Sequence, residues 1–167
     1  LYILRFDQNI APQDVPITAV RLDDEGVSVG ELCFTRDEEA AASVSYGEPA
    51  GFIFEPSPAF QKAAGFRVMA ERYGVQGVHP HTHLYFGASL IKDFPGQSYK
   101  LLDIIAPKAA DVARLGIESA DIALRNYPGN VADLRKKLKL SDGGVHRIYG
   151  VTVHSGEKRL LICKKDM

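Results

Sequence analysis

Three histidines at alternating positions, His79, His81 and His83, carry the most reactive-looking spacing in the chain. On an extended segment, side chains at i, i+2 and i+4 share one face, and three imidazoles on one face can share a divalent metal. Several features argue against that chemistry here. Pro80 interrupts the strand, no carboxylate or cysteine stands at supporting spacing, and three positions of one strand do not by themselves enclose a tetrahedral ion. The plainer expectation is one buried, hydrogen-bonded histidine with the others in solvent, so no metal is expected. A small metal-dependent protein built on His79, His81 and His83 stands only as a third reading.

The second chemical feature is charge. From Arg125 to Lys165 the chain holds ten Lys and Arg against three acids, an excess of seven positive charges. Residues 1–124 hold ten against seventeen, an excess of seven negative charges, so the overall net charge of −1 conceals two opposed halves. Such asymmetry points to a polyanionic partner at one end. Arg125, Arg135, Lys136, Lys139 and Arg147 are the candidate contacts to phosphate, because guanidinium and ammonium groups neutralise phosphates and release counterions. The competing expectation is an ordinary solvated helix face and hairpin rim. Tyr127 and Tyr149 could stack on bases, although strand tyrosines more often pack in the core.

Other reacting constellations are not evident. The glycines are scattered, with no phosphate-binding loop, and there is no G-x-S-x-G elbow. Glu55 and the acidic run Asp37, Glu38 and Glu39 could be drawn into a site, but their spacing does not demand it; a solvated edge is expected for the run. Lys62 could snorkel to Glu55 or meet a phosphate. The chain is therefore not expected to be catalytic by itself.

The elements that must position these residues follow from periodicity. Strands are predicted at Tyr2–Phe6, Ile17–Leu22 and Val29–Thr35, the last two as a hairpin turned by Asp23-Asp24-Glu25-Gly26. Phe52–Glu55 is a short strand, and Pro56-Ser57-Pro58 starts a helix over Ala59–Tyr73 with Ala63, Phe66, Ala70 and Tyr73 on one face. After a linker-like Asp93–Gln97, the order is strand Tyr99–Ala106, helix Pro107–Leu115, strand Ala120–Arg125, a helix capped by Asn130, and strands His146–His154 and Lys158–Cys163. The last strand is apolar from Leu160 to Cys163 and should be buried on both faces. Composition and order give an α+β protein of 167 residues, with ordinary hydrophobic content of 46%. Cys33 and Cys163 lie in apolar runs and are expected as reduced core residues, which fits a reducing, cytoplasmic compartment. No run of about 18 apolar residues predicts a membrane span. The chain opens on Leu1 within a strand-like run, so a fragment or excised domain is expected.

Phe52-Ile53-Phe54-Glu55-Pro56 with Lys62-Ala63, then His79-Pro80, Thr82-His83-Leu84-Tyr85 and Phe94-Pro95-Gly96, resembles a small ferredoxin-like segment of bacterial class I S-adenosylmethionine-dependent methyltransferases. Arg125-Asn126-Tyr127-Pro128, Leu134-Arg135-Lys136-Lys137-Leu138, Gly143-Gly144 and the Leu160–Lys164 strand are similar to the THUMP-like domain that ends those proteins. His81, where Asn is expected, and Tyr127, where Phe is expected, depart from the pattern. The resemblance implies three parts: residues 1–50 as trailing strands of, or a bridge from, an upstream methyltransferase domain, 51–96 as the ferredoxin-like segment, and 97–167 as a β-α-β-α-β-β THUMP-like domain. It further implies S-adenosylmethionine as cofactor of the full-length protein, with none bound by this chain. The partners implied are RNA and the protein's own methyltransferase domain, with no DNA and no membrane. A protein-interaction or bracing module without nucleic-acid binding is the alternative.

Overall fold

A computed structural model describes residues 9–165 of the chain. The strand predicted at Tyr2–Phe6 lies outside the described residues. After a turn of 3-10 helix at Pro12–Asp14, the predicted hairpin forms from β1 (Ile17–Leu22) and β2 (Ser28–Phe34), paired antiparallel. The Asp23 carboxylate organises its turn by accepting from the backbone N–H groups of Glu25 and Val27, at 3.0 and 2.8 Å.

The acidic run Asp37–Glu39 forms the first turn of a helix, α1 (Arg36–Ala41), with Asp37 and Glu38 exposed, as the solvated reading expects, and Glu39 part-buried. Thr35 and Glu38 form a capping box: the Thr35 hydroxyl accepts from the Glu38 N–H, and the Glu38 carboxylate accepts from the Thr35 N–H. The predicted helix over Ala59–Tyr73 is two helices, α2 (Pro58–Ala63) and α3 (Phe66–Tyr73). The break falls at Ala64, whose φ of 61° is left-handed, and at Gly65, where a Cβ would lie 2.6 Å from the Phe34 ring. A side chain thirty-one residues upstream therefore dictates the interruption. Glu39 reinforces it by accepting from the N–H groups of Arg67 and Val68, capping the start of α3.

The remaining elements are β3 (Phe52–Pro56), β4 (Gln76–Gly77), β5 (Tyr85–Gly87), β6 (Gly96–Ile105), α4 (Ala109–Arg114), β7 (Asp121–Arg125), α5 (Val131–Leu138), β8 (His146–Thr152) and β9 (Lys158–Lys165). They build one seven-stranded sheet in the order β4-β5-β3-β6-β9-β8-β7, antiparallel except for the β7–β8 pair, whose connection runs through α5. The predicted linker contributes Gly96 and Gln97 to β6, which pairs with β3 on one side and β9 on the other.

Three apolar clusters hold these layers. The hairpin and the first helices pack with Phe54, Phe60, Met69 and Phe94. α4 and α5 cover one sheet face through Val112, Leu134 and Leu138 on Ile148, Leu160 and Ile162. On the other face, Ile53, Val78 and Leu84 meet Tyr149, Leu161 and Cys163. Leu160 to Cys163 are thus enclosed on both faces, as their unbroken apolar run predicts, and each fully buried Leu or Ile contributes about 1.5–3 kcal/mol. Cys163 is buried, but Cys33 is exposed on the outer face of β2 rather than in the core; both are free thiols. No helix among the described residues is long and apolar enough to cross a membrane.

Candidate functional site

Glu55 is the one charged residue of β3, and it is 8% exposed. It shares a sheet face with Ile53, two residues earlier, and so points toward Arg147 and Tyr149 of β8. In a flat sheet, three strand spacings would hold the β3 and β8 backbones roughly 14 Å apart. Yet the Tyr149 hydroxyl donates to Glu55 Oε2 at 2.6 Å, and Arg147 Nη2 lies 3.5 Å from the same oxygen. Long side chains bridge that span, and Ile53, Tyr149 and Leu161 of β3, β8 and β9 share one buried apolar cluster beside them. From the end of β7, Arg125 Nη2 donates to the other carboxylate oxygen, Oε1.

One carboxylate thus faces two guanidiniums and a phenol, leaving a formal excess of one positive charge. Burial works against the charge on Arg147, but bonding to Tyr149 and the charge of Glu55 outweigh it and hold the guanidinium pKa above its usual value. Its CZ sits 5.1 Å from the Tyr149 ring centroid. Burial, followed by the charge of Glu55, pushes the Tyr149 phenol far above the ordinary tyrosine range, so it stays a donor at all physiological pH. The Nε atoms of Arg125 and Arg147 are buried without a hydrogen-bond partner among the described residues.

Beside this cluster opens a cavity of about 480 Å³. β1 lends Val20, Arg21 and Leu22; the β3–α2 junction lends Glu55 through Ala59, with Gln61; Gly96, Gln97 and Arg125 complete the lining. Arg21 Nη1 reaches the Gly96 carbonyl at 3.4 Å, and Gln61 Nε2 donates to the Pro56 carbonyl at 2.7 Å. Ser57 occupies the N-cap position of α2, yet its hydroxyl does not cap the helix and is buried without a partner among the described residues. The arrangement offers cationic and hydroxyl donors beside apolar walls.

The five basic residues singled out in the sequence fall into different environments. Arg125 and Arg147 converge on Glu55. Arg135 is woven into the fold: Nη1 donates to the carbonyls of Ala120 and Ser141 at 2.9 and 2.7 Å, and Nη2 meets Asp142 at 2.5 Å. Lys136 and Lys139 are exposed, as is Lys137, and none has an ion-pair partner among the described residues. Lys139 is the left-handed C-cap of α5, with φ 59°. Tyr149 is fully buried and cannot stack on a base; Tyr127 is half-buried against the α5 cluster. Lys62 is exposed and does not pair with Glu55, whose carboxylate is taken by Arg125, Arg147 and Tyr149.

The histidines do not line one strand face. Residues 79–82 form a turn, closed by the Thr82 N–H on the His79 carbonyl at 3.1 Å, and His83 has a left-handed φ of 54°. His83 stacks on Phe66 at 3.9 Å between ring centroids, His79 Nδ1 accepts from the His81 backbone N–H at 3.0 Å, and His81 is exposed. Among the described residues, no three His, Cys, Asp or Glu side chains converge as a metal site. Burial lowers the pKa of His79, with the nearby His81 and His154 adding to the effect; burial, His81 and Arg125 lower that of His83. The residue whose role spacing missed is Glu55. Its signal was a lone charge in an apolar strand, with partners 70, 92 and 94 residues away.

Residues 52–95 match the family model of a ferredoxin-like domain, and residues 96–165 match a THUMP domain-like model. No curated protein matches the chain. Among solved structures, the chain is similar to the crystal structure of a putative methyltransferase from Porphyromonas gingivalis W83, with 34% identity and a TM-score of 0.86 over 95% of this chain. The match spans 40% of that protein's length. The seven-stranded sheet is thus built from two known parts in sequence, and the chain carries a ferredoxin-like domain followed by a THUMP-like domain.

Proposed function

We propose that this chain is the substrate-recognition region of an S-adenosylmethionine-dependent methyltransferase that acts on RNA in the cytoplasm. The observation that carries the reading is the THUMP-like match over residues 96–165, which coincides with the basic end of the chain. THUMP domains are generally RNA-binding. Exposed Lys136, Lys137 and Lys139 and the part-exposed Arg125 and Arg147 supply the charge that phosphates require. The similarity to the Porphyromonas gingivalis protein supports the methyltransferase part of the reading. S-adenosylmethionine would supply the methyl group in the full-length protein. The residues of this chain do not fit it: the cavity carries an excess of guanidinium charge, which opposes a cationic sulfonium.

Fluorescence anisotropy with a mixed tRNA and rRNA pool across a salt series tests the reading. Binding should weaken linearly on a log–log plot. The double variant Lys136→Gln, Lys139→Asn, in which Asn tolerates the left-handed position, should bind more weakly and reduce the slope by about 1.4 for two phosphate contacts. No binding at low salt would sink RNA recognition. The bracing alternative has its own support in the exposed Val20, Leu22, Val27 and Val29 of the hairpin, an apolar patch that a further domain could cover.

A further inference from the structure

We infer that the cavity between the β1–β2 hairpin and the β3–α2 junction is a nucleotide pocket, in which Arg125 and Arg21 hold a phosphate and the apolar walls hold the nucleoside. The inference rests on the RNA reading for the source of the nucleotide, but its evidence is local. Charge comes first. Arg125 and Arg147 share the single carboxylate of Glu55, and Arg21, whose guanidinium meets only the Gly96 carbonyl among the described residues, lines the cavity beside Arg125 and Glu55. The lining thus holds two guanidiniums against one carboxylate, with Arg147 behind them on the same carboxylate, a positive surplus that suits a phosphate monoester or diester.

Unmet donors point the same way. The Ser57 hydroxyl and Arg125 Nε are buried without partners among the described residues, although buried polar groups are nearly always hydrogen-bonded because leaving one unsatisfied costs about 1–3 kcal/mol. Both residues line the cavity, so phosphate or ribose oxygens could meet that need. Size argues for more than an inorganic ion. A volume of about 480 Å³ lies within the range of small-molecule sites, and Val20, Leu22 and Pro58 give it apolar surface that a phosphate alone would leave unused. The Gln61 amide spends its N–H on the Pro56 carbonyl, which leaves its oxygen to accept from a base edge.

Calorimetric titration of the full chain with adenosine and cytidine 5′-monophosphates is the test, with adenosine, inorganic phosphate and succinate as comparison ligands. Saturable binding of a nucleotide is expected, at least about tenfold tighter than any comparison ligand, since the charged and apolar contacts must combine. Leu22→Trp, at a position 57% exposed and hence harmless to the fold, should fill the mouth and weaken nucleotide binding by about tenfold or more. Ser57→Ala should weaken it by a few fold, about threefold to tenfold. The Lys136→Gln, Lys139→Asn variant should leave it unchanged.

If the RNA pool binds with the expected salt slope but neither nucleotide does, and Leu22→Trp leaves RNA affinity untouched, the pocket assignment is overturned while RNA recognition stands. Nucleotide binding lost in Leu22→Trp, without any binding of the RNA pool, would keep the pocket as a free-nucleotide site and remove the RNA reading. Succinate binding as tightly as the nucleotides would overturn the nucleotide assignment in favour of a general anion site.

Discussion

Glu55 accepts from Arg125, Arg147 and Tyr149 at once, so its removal leaves two guanidiniums in a partly buried site without their counter-charge. Glu55→Gln keeps the shape and deletes the charge, and should cost about 3 kcal/mol, the low end for a broken buried pair because both arginines keep some solvent exposure. Urea denaturation measures it; a loss below about 0.5 kcal/mol would mean that the cluster adds no net stability. His83 yields a second expectation. Its pKa is lowered in the folded chain, chiefly by burial, so on acidification the unfolded chain binds the proton first. The stability linked to it is fully present above the unfolded value near 6.5 and is lost as pH falls from there through the lower folded value. Melting temperatures from about pH 7.5 to 5.5 should therefore fall less steeply in His83→Asn than in the parent, Asn being compatible with the left-handed backbone at this position. Glu55 was visible in the sequence as a lone charge in FIFEP, but its three partners were not, because they lie 70, 92 and 94 residues away and meet it only across the assembled sheet.

At the scale of elements, the signals that act over a few residues were legible. The Asn130 side chain accepts from the Asp133 N–H at 2.8 Å, as the helix-capping reading requires, and β1, β3, β7 and β8 fall within two residues of their predicted bounds. Thr35-x-x-Glu38 was equally legible as a capping box, but its acids read as a solvated edge. The α2–α3 break was not legible, because Phe34 packing on Gly65 is a tertiary contact. Another close approach governs the pairing of β3 with β6. A Cβ on Gly96 would sit 2.0 Å from the Glu55 carbonyl oxygen, a backbone atom that cannot rotate away. Gly96→Ala should force these strand ends apart at the floor of the cavity and cost about 3 kcal/mol or more. Chemical denaturation gives the magnitude, and a near-neutral result would show that the two strands separate there without loss.

On the scale of the whole molecule, the ferredoxin-like and THUMP-like regions share one hydrogen-bonded sheet, with β6 pairing both β3 and β9, and the Glu55 cluster ties the same two regions through side chains. The seven-stranded unit should therefore unfold in a single transition, with far-ultraviolet dichroism and tyrosine fluorescence tracing coincident curves. Two separated transitions would instead mean that each region is stable alone. Sequence by itself determined the α+β class, the chain order of most elements, the doubly buried β9 and the polarity of charge, since each depends on local periodicity, capping or simple composition. Tertiary structure alone decided which basic residues stay exposed. Arg135 is consumed by the carbonyls of Ala120 and Ser141, Arg125 and Arg147 are drawn to Glu55 but stay part-exposed, and Lys136 and Lys139 face water. The alternating histidines likewise became a turn rather than a ligand face. Both outcomes depend on which backbone carbonyls, carboxylates and rings the fold sets beside each side chain, and such partners have no signature in local spacing.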